Sequence, residues 1–285
     1  MKYVFVFCFL IFTINITSAQ TEPRILHPIS IDMSNDIPVD TSILEVTYIL
    51  NADTLEKNKT EHCEDIQILE IGKNTAKYYS YLIYESDSSV VKWIEKNPKA
   101  TVAPINKLRK NKFIRPYWSV CFKDYETNSF TEYFRAPKSI KNYQYSEPFA
   151  DFNWAIYEDT LTVCGYLCQK ATCDFRGRIY TAWFSTEIPI NEGPWKFGGL
   201  PGLILKIYDK DKKFVFECTG ISNTRKPIKK HNYENYGKTS RKALLKLRNN
   251  IYDNYFATAG LIFPPEFPTR RHEKSPYHLF MLELE

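Results

Sequence analysis

The sequence predicts a mainly β protein (α+β) built on one large, curved antiparallel sheet, an incomplete barrel, with a few helices. Three observations carry this. Among 285 residues there are 20 Tyr and 19 Phe, side chains that favour the pleated, half-buried surface of a sheet. Short alternations of apolar and polar residues recur along the chain, bounded by Gly, Pro, Asn and Asp, which is the pattern of strands and turns. Finally, the stretch Gly193-Pro194-Trp195-Lys196-Phe197-Gly198-Gly199-Leu200-Pro201-Gly202 runs straight into Leu203-Ile204-Leu205. Gly198 and Gly199 offer backbone angles with φ > 0, and Pro194 and Pro201 each fix φ and remove a donor. This is a shaped loop feeding a central strand.

The elements follow in order. Residues 20–41 are mixed and punctuated by proline, an irregular lead-in. Ile43 to Leu50 alternates as a first strand, Asn51 to Lys59 is polar and turn-like, and Glu64 to Ile71 is a second strand. Gly72-Lys73-Asn74 turns the chain into a tyrosine-rich third strand, Lys77 to Glu85. Asp87 or Ser88 caps a short helix that Pro98 stops. Arg115 to Lys123 and Phe130 to Phe134 form a strand pair, and residues 137–148 read as a linker. Trp154 to Tyr157, Val163 to Phe175 and Arg178 to Ser185 are strands, the last two joined by a tight turn at Arg176-Gly177. Phe214 to Cys218 is a strand after the loop and its own strand. Ser240 caps a helix from Arg241 to about Phe256, with Leu244, Leu247, Ile251 and Tyr255 on one face. No stretch repeats at a fixed period, which excludes a solenoid or propeller.

The N-terminus reads as a targeting segment. Lys2 precedes the apolar run Tyr3 to Ile16, and Thr17-Ser18-Ala19 places small residues at a cleavage site before Gln20. The run falls short of the roughly 20 residues a membrane span needs, and no later segment reaches that length. Residues 1–19 are therefore a signal peptide, 20–285 a single domain, and the expected location is the periplasm or the cell surface. The formal charge of +5 is too small to argue for nucleic acid. Charge is nevertheless concentrated: Arg225 to Arg248 holds nine Lys or Arg against Glu234 alone. That segment reads first as a solvated helix face and second as a contact for an anionic surface.

Six cysteines remain after cleavage: Cys63, Cys121, Cys164, Cys168, Cys173 and Cys218. In an exported chain they are disulfide candidates, and at least one bridge is expected to involve the Cys164–Cys173 cluster. Five residues of extended strand hold cysteines too far apart to bridge, so neighbours in the cluster can pair only if the chain turns at Gly165. His62-Cys63 is the one adjacent pair of metal-type ligands, and a disulfide claims that cysteine first. No metal site and no cofactor are expected. The sequence holds no His-Glu-x-x-His, no Gly-x-Ser-x-Gly and no phosphate-binding Gly-x-x-x-x-Gly-Lys.

Gly199-Leu200-Pro201-Gly202-Leu203-Ile204 resembles the hexapeptide that names the GLPGLI family of exported bacterial proteins. The likeness extends to Leu69-Glu70-Ile71-Gly72-Lys73 with Lys77-Tyr78-Tyr79-Ser80, to Gly165-Tyr166-Leu167-Cys168-Gln169-Lys170-Ala171-Thr172, to Phe175-Arg176-Gly177-Arg178, to Ala182-Trp183-Phe184, and to the Leu-Glu-Leu-Glu ending. Cys164 and Cys173 are additions to the family pattern. The family has no assigned activity, so the resemblance implies a compartment and a fold. The block from Val163 to Ile207 is also similar, by the order of its elements, to periplasmic lipoprotein carriers, which implies a bent open sheet crossed by helices.

Three functions follow as expectations. The first is a non-catalytic envelope protein that binds or carries a hydrophobic or peptidic ligand. The second is an accessory partner of an outer-membrane receptor or transporter, without a small-molecule ligand. The third is an enzyme of an unrecognised class. The expected interaction surface is the loop: Trp195 and Phe197 on stiff backbone with Gly199, Leu200 and Pro201, and Trp183 and Trp154 nearby on the sheet.

Overall fold

A computed structural model describes residues 31–284, apart from residues 32, 57–58, 100–118, 138–139, 259–276 and 280. Residues 1–19, read from sequence as a signal segment, lie outside the described residues, as does the side chain of Cys63. Among the described residues no helix is long and apolar enough to cross a membrane.

Among the described residues fifteen strands and three helices follow one another. They are β1 (Ile37–Thr41), β2 (Leu44–Glu56), β3 (Lys59–Ile71), β4 (Thr75–Ser80), α1 (Tyr81–Lys96), β5 (Ser119–Asp124), β6 (Ser129–Phe134), β7 (Tyr143–Pro148) and β8 (Ala155–Val163). Then come β9 (Tyr166–Phe175), β10 (Arg178–Ser185), β11 (Leu203–Asp209), β12 (Phe214–Ser222), β13 (Pro227–Lys230), β14 (Gly237–Lys238), α2 (Arg241–Asp253), α3 (Tyr255–Thr258) and β15 (Tyr277–Leu279). One sheet runs in the order β14-β7-β6-β5-β4-β3-β2-β12-β11-β10-β9-β8, and β15 pairs with the far end of β2. Its two ends are unpaired with one another, so it is open. Two meanders of successive neighbours, β2 to β7 and β8 to β12, are joined where β2 pairs antiparallel with β12. The short parallel pair of β14 with β7 is the exception to an antiparallel pattern. β1 and β13 make a separate two-stranded sheet.

Alternation sets the faces. Leu44, Val46, Tyr48, Leu50 and Ala52 of β2 are buried while the residues between them are half-buried, because successive side chains point to opposite sides. The same core holds Tyr180, Ala182 and Phe184 from β10 and Phe214 and Phe216 from β12. A second, smaller cluster covers β5 and β6: Phe122 and Tyr133 pack with Ile228, Tyr233 and Tyr236, and the rings of Tyr133 and Tyr233 stack at 3.7 Å.

Four sequence expectations are corrected. β2 continues through the polar stretch to Glu56, because Asn51 to Glu56 pairs in register with Lys59 to Glu64 of β3. The tyrosine-rich strand ends at Ser80, whose side chain caps α1 by accepting from the Ile83 N–H. Tyr81 and Tyr84 are thus helical, and Asp87 lies inside the helix, where Arg135 grips it at 2.6 and 3.1 Å. The linker expected at 137–148 contains β7, paired along its length with β6. The long strand expected from Val163 is divided by a turn at Cys164-Gly165, with φ of 50° and 85°. The helix capped by Ser240 forms as expected and ends at Asp253; Leu244 and Ile251 reach the core.

The connection from β10 to β11, residues 186–202, does not stand off the sheet. Gly202 shows why: a Cβ there would lie 2.1 Å from the Ser185 carbonyl oxygen. Substituting Gly202→Ala is expected to lower thermal stability by at least about 2 kcal/mol through forced overpacking; an unfolding curve within 0.5 kcal/mol of wild type, roughly the size of a neutral surface change, would contradict this.

Candidate functional site

The loop is held by its own backbone before any side chain acts. Leu203 N–H donates to Ile188 O, Ile204 N–H to Glu192 O at 2.9 Å, and Gly199 N–H to Asn191 O at 3.0 Å. Glu192 and Gly198 form an isolated antiparallel bridge. The left-handed conformation falls on Gly199 (φ 81°) and, unexpectedly, on Trp195 (φ 53°). Gly198 does not adopt it. It is small for another reason: a Cβ would sit 2.8 Å from Asn191 O. The Trp154 indole N–H reaches across to Gly198 O at 2.9 Å, and the Tyr48 hydroxyl donates to Ile204 O at 2.8 Å.

The aromatic pair points inward, and the expectation of an exposed aromatic platform is corrected. Trp195 is 1% and Phe197 0% exposed, and Leu200 is buried with them. Phe197 packs edge-on against Tyr180 at 4.7 Å and Trp195 at 5.3 Å, with Phe152 5.5 Å away. These loop side chains are part of the main hydrophobic core. Gly199 and Pro201 are the loop's exposed members, and Trp154 and Trp183 are half-buried against the core.

Lys196, between the two aromatics, takes its charge inside as well. Its Nζ lies 2.7 Å from Glu147 and 3.0 Å from Glu283, beneath the faces of Phe130, Tyr145 and Trp195. Arg176 binds the same two carboxylates at 2.9 and 2.6 Å, and Arg241 stands 3.6 Å from each. Burial opposes ionisation of Glu147, but hydrogen bonds from Arg176 and the Lys196 ammonium outweigh it and hold its pKa below the ordinary value. Deeper, Glu132 accepts from Tyr145 at 2.9 Å and is paired with Arg248. There too burial is outweighed, by Arg248 and Lys196, and the pKa is lowered. The basic segment thus spends two charges, Arg241 and Arg248, inside the protein. Arg225, Lys226, Lys229, Lys238, Lys242 and Lys246 remain exposed.

A groove of about 450 Å³ opens beside the loop, lined by Ile43, Ile71, Gly72, Tyr125, Pro189, Ile190, Asn191, Glu192 and Pro201. This volume is in the range of ordinary ligand sites. Ile43 is 53% exposed at its edge. Glu192 forms the polar floor: it pairs with buried Lys123, whose Nζ also donates to Phe197 O at 2.7 Å. A second recess includes Lys77, Asp87, Arg135 and His231; Arg135 pairs with Asp87, His231 lies 2.8 Å from Asp36, and Lys77 Nζ donates to Lys229 O at 2.7 Å. Among the described residues no group of three or more His, Cys, Asp or Glu is placed to hold a metal.

The described cysteines, Cys121, Cys164, Cys168, Cys173 and Cys218, are all unbridged. The chain does turn at Gly165, the condition for pairing within the cluster, yet the turn carries Cys164 off the strand while Cys168 and Cys173 are buried on β9. Burial pushes the Cys168 thiol up to about 11 and that of Cys173 up to about 12.

Residues 175–206 match a family model described as a protein of unknown function (Porph_ging). Over that segment the chain is similar to this family. No curated protein matches it. Among solved structures it is similar to PNGF-II in two crystal forms, at 16% and 17% identity with TM-scores of 0.44 and 0.43. Those matches cover 73% of this chain and 33% and 32% of PNGF-II, so the chain spans about a third of that protein.

The matched segment coincides with the site: it begins at the Phe175-Arg176 turn and ends on the strand after the loop. The sequence reading does not reach the groove residues Ile43, Tyr125 and Glu192, nor Lys123 behind Glu192. Glu192 alone left a trace, as an acid between Ile-Pro-Ile-Asn and Gly-Pro; its partner Lys123 is 69 positions away. Replacing Trp195→Ala or Phe197→Ala is expected to cost about 3–5 kcal/mol of stability each, as for other buried aromatics. Chemical denaturation measures this, and a variant with unchanged stability and lost binding would restore the exposed-platform reading.

Proposed function

We propose that this GLPGLI-type chain is an exported, non-catalytic protein of the cell envelope that captures a peptidic, apolar segment in the groove beside its loop. The observation that supports the reading is the groove itself. Ile43, Ile71, Pro189, Ile190 and Pro201 supply an apolar wall, and Asn191 a polar group of the kind that orients a peptide. The walls are stiff: one is β-sheet, and the other is a loop whose conformation is fixed by glycine, proline and core-buried aromatics. Rigid walls bind at lower entropic cost. Glu192 is engaged by Lys123, which suits a binding floor better than a free general base.

Export rests on the N-terminal sequence pattern and on the family's character as exported bacterial proteins. In that compartment a disulfide is expected to form on folding. The accessory-partner reading gains from one observation, the filled interior: with Trp195, Phe197 and Leu200 buried there, a segment of a partner protein suits the outer groove better than an enclosed small molecule.

Placing a photo-crosslinking amino acid at Ile43 or Pro201, with Ile156 on the opposite meander as control, tests the reading in the native envelope. Adducts with a protein or peptide at 43 and 201 but not at 156 are expected. Equal labelling at all three positions, or adducts at 156 alone, would contradict it.

A further inference from the structure

Three lysines are buried among the described residues: Lys77, Lys123 and Lys196. Lys123 is paired with Glu192, and Lys196 with Glu147 and Glu283. Lys77, on β4, is 8% exposed, yet among the described residues it makes no ion pair with a carboxylate. Its direct cross-strand neighbour on β3 is Glu70, but that carboxylate accepts from the Tyr79 hydroxyl at 3.2 Å instead. Lys77 Nζ donates to Lys229 O at 2.7 Å and lies 4.8 and 5.9 Å from the ring centres of Tyr79 and Phe122. A second cation, Lys230 Nζ, stands 5.3 Å from the same Phe122 ring. Desolvation without a counter-ion disfavours an ammonium against the neutral amine. Burial lowers the amine's pKa; Glu70 and Asp36 oppose this without reversing it, and Lys229 adds to it.

Lys77 also lines the second recess, together with Asp36, Tyr79, His231 and Tyr233. The volume there is about 30 Å³, the room of roughly two water molecules. A lysine that is desolvated, lacks a carboxylate partner and faces a recess is placed to act as a nucleophile. We propose that Lys77 is a covalent site that captures a small aldehyde as an imine. The amine lone pair attacks the carbonyl carbon, and the C–N bond forms as the C=O π bond breaks, giving a carbinolamine. The carbonyl oxygen then leaves as water, taking both amine hydrogens, and the C=N bond forms. No oxidant, reductant or further reactant is consumed, and water reverses the step. The size of the recess sets the class, because only a small aldehyde fits beside the amine. The charged and titratable groups around it are Glu70 on β3, Tyr79 on β4, Lys229 and Lys230 on β13, and the Asp36–His231 pair. The recess shares no residue with the groove beside the loop, so the site does not rest on the function proposed for that groove.

Reductive methylation of the purified protein tests this. Formaldehyde is the probe, and cyanoborohydride reduces the imine in place, so each methylated lysine records a capture event. With limiting formaldehyde near neutral pH, peptide mapping is expected to find Lys77 methylated several-fold faster than the exposed Lys73, Lys242 and Lys246. Unfolding the protein in urea before labelling should abolish that lead. As the pH is raised, the exposed lysines should gain about tenfold in rate per unit, following their neutral fraction. Lys77 should gain less and level off at a lower pH, because an amine of lowered pKa loses its proton earlier. A buried lysine with a packing role alone gives the opposite pattern, methylated last in the folded protein and catching up on unfolding. That pattern, or a Lys77 rate that tracks the exposed lysines at every pH, would overturn the proposal.

Discussion

The Lys196 ammonium, 2% exposed, is the charge on which the arrangement of this protein turns. An ion of that kind cannot be left unpaired in an interior, because the desolvation cost is several kcal/mol. Its partners Glu147 and Glu283 must therefore be delivered from β7 and from the C-terminal end of the chain. Arg176 and Arg241 offset the second carboxylate charge and tie in the β9–β10 turn and the start of α2. Five segments distant in sequence thus meet at one point. The backbone confirms the junction: Leu284 N–H donates to Arg176 O, Arg178 Nε donates to Met281 O, and the Tyr180 hydroxyl donates to Leu282 O.

This gives three separate stretches of the sequence a common physical reason. Phe175-Arg176-Gly177-Arg178, the Trp195-Lys196-Phe197 of the loop, and the Leu-Glu ending are parts of one buried junction. Around it Trp195 and Phe197 supply the apolar shell that excludes water and strengthens the pairing. The junction fixes the loop's inner side, and Lys123 with Glu192 fixes the side toward the groove. The groove wall is rigid because both sides of the loop are anchored.

Much of the fold was legible because its signals are local. The alternation in β2, β9, β10 and β12, the Ser240 cap and the Gly-Pro loop each depend on a few adjacent residues. Where local signals conflicted, tertiary pairing decided. Asn51 to Glu56 reads as a turn by composition but is drawn into β2 by its partner β3, and Tyr81 and Tyr84 favour a strand until Ser80 caps a helix. The site was legible in position but not in direction. Gly and Pro around Trp195 and Phe197 marked an important loop, yet nothing in ten adjacent residues reveals whether aromatics face solvent or core. That depended on Tyr180, Phe152 and Phe216, and the fate of Lys196 depended on a carboxylate 87 positions away.

A double-mutant cycle on Lys196→Met and Glu283→Gln, followed by denaturant unfolding, tests most directly whether this buried junction organises the fold. Either single change leaves a buried charge without its main partner and should cost about 3–5 kcal/mol. The double variant should recover part of that loss, giving a coupling energy of about 2 kcal/mol or more. Additive effects, with a coupling below about 0.5 kcal/mol, would show that the loop and the C-terminal segment are held independently and would contradict the account.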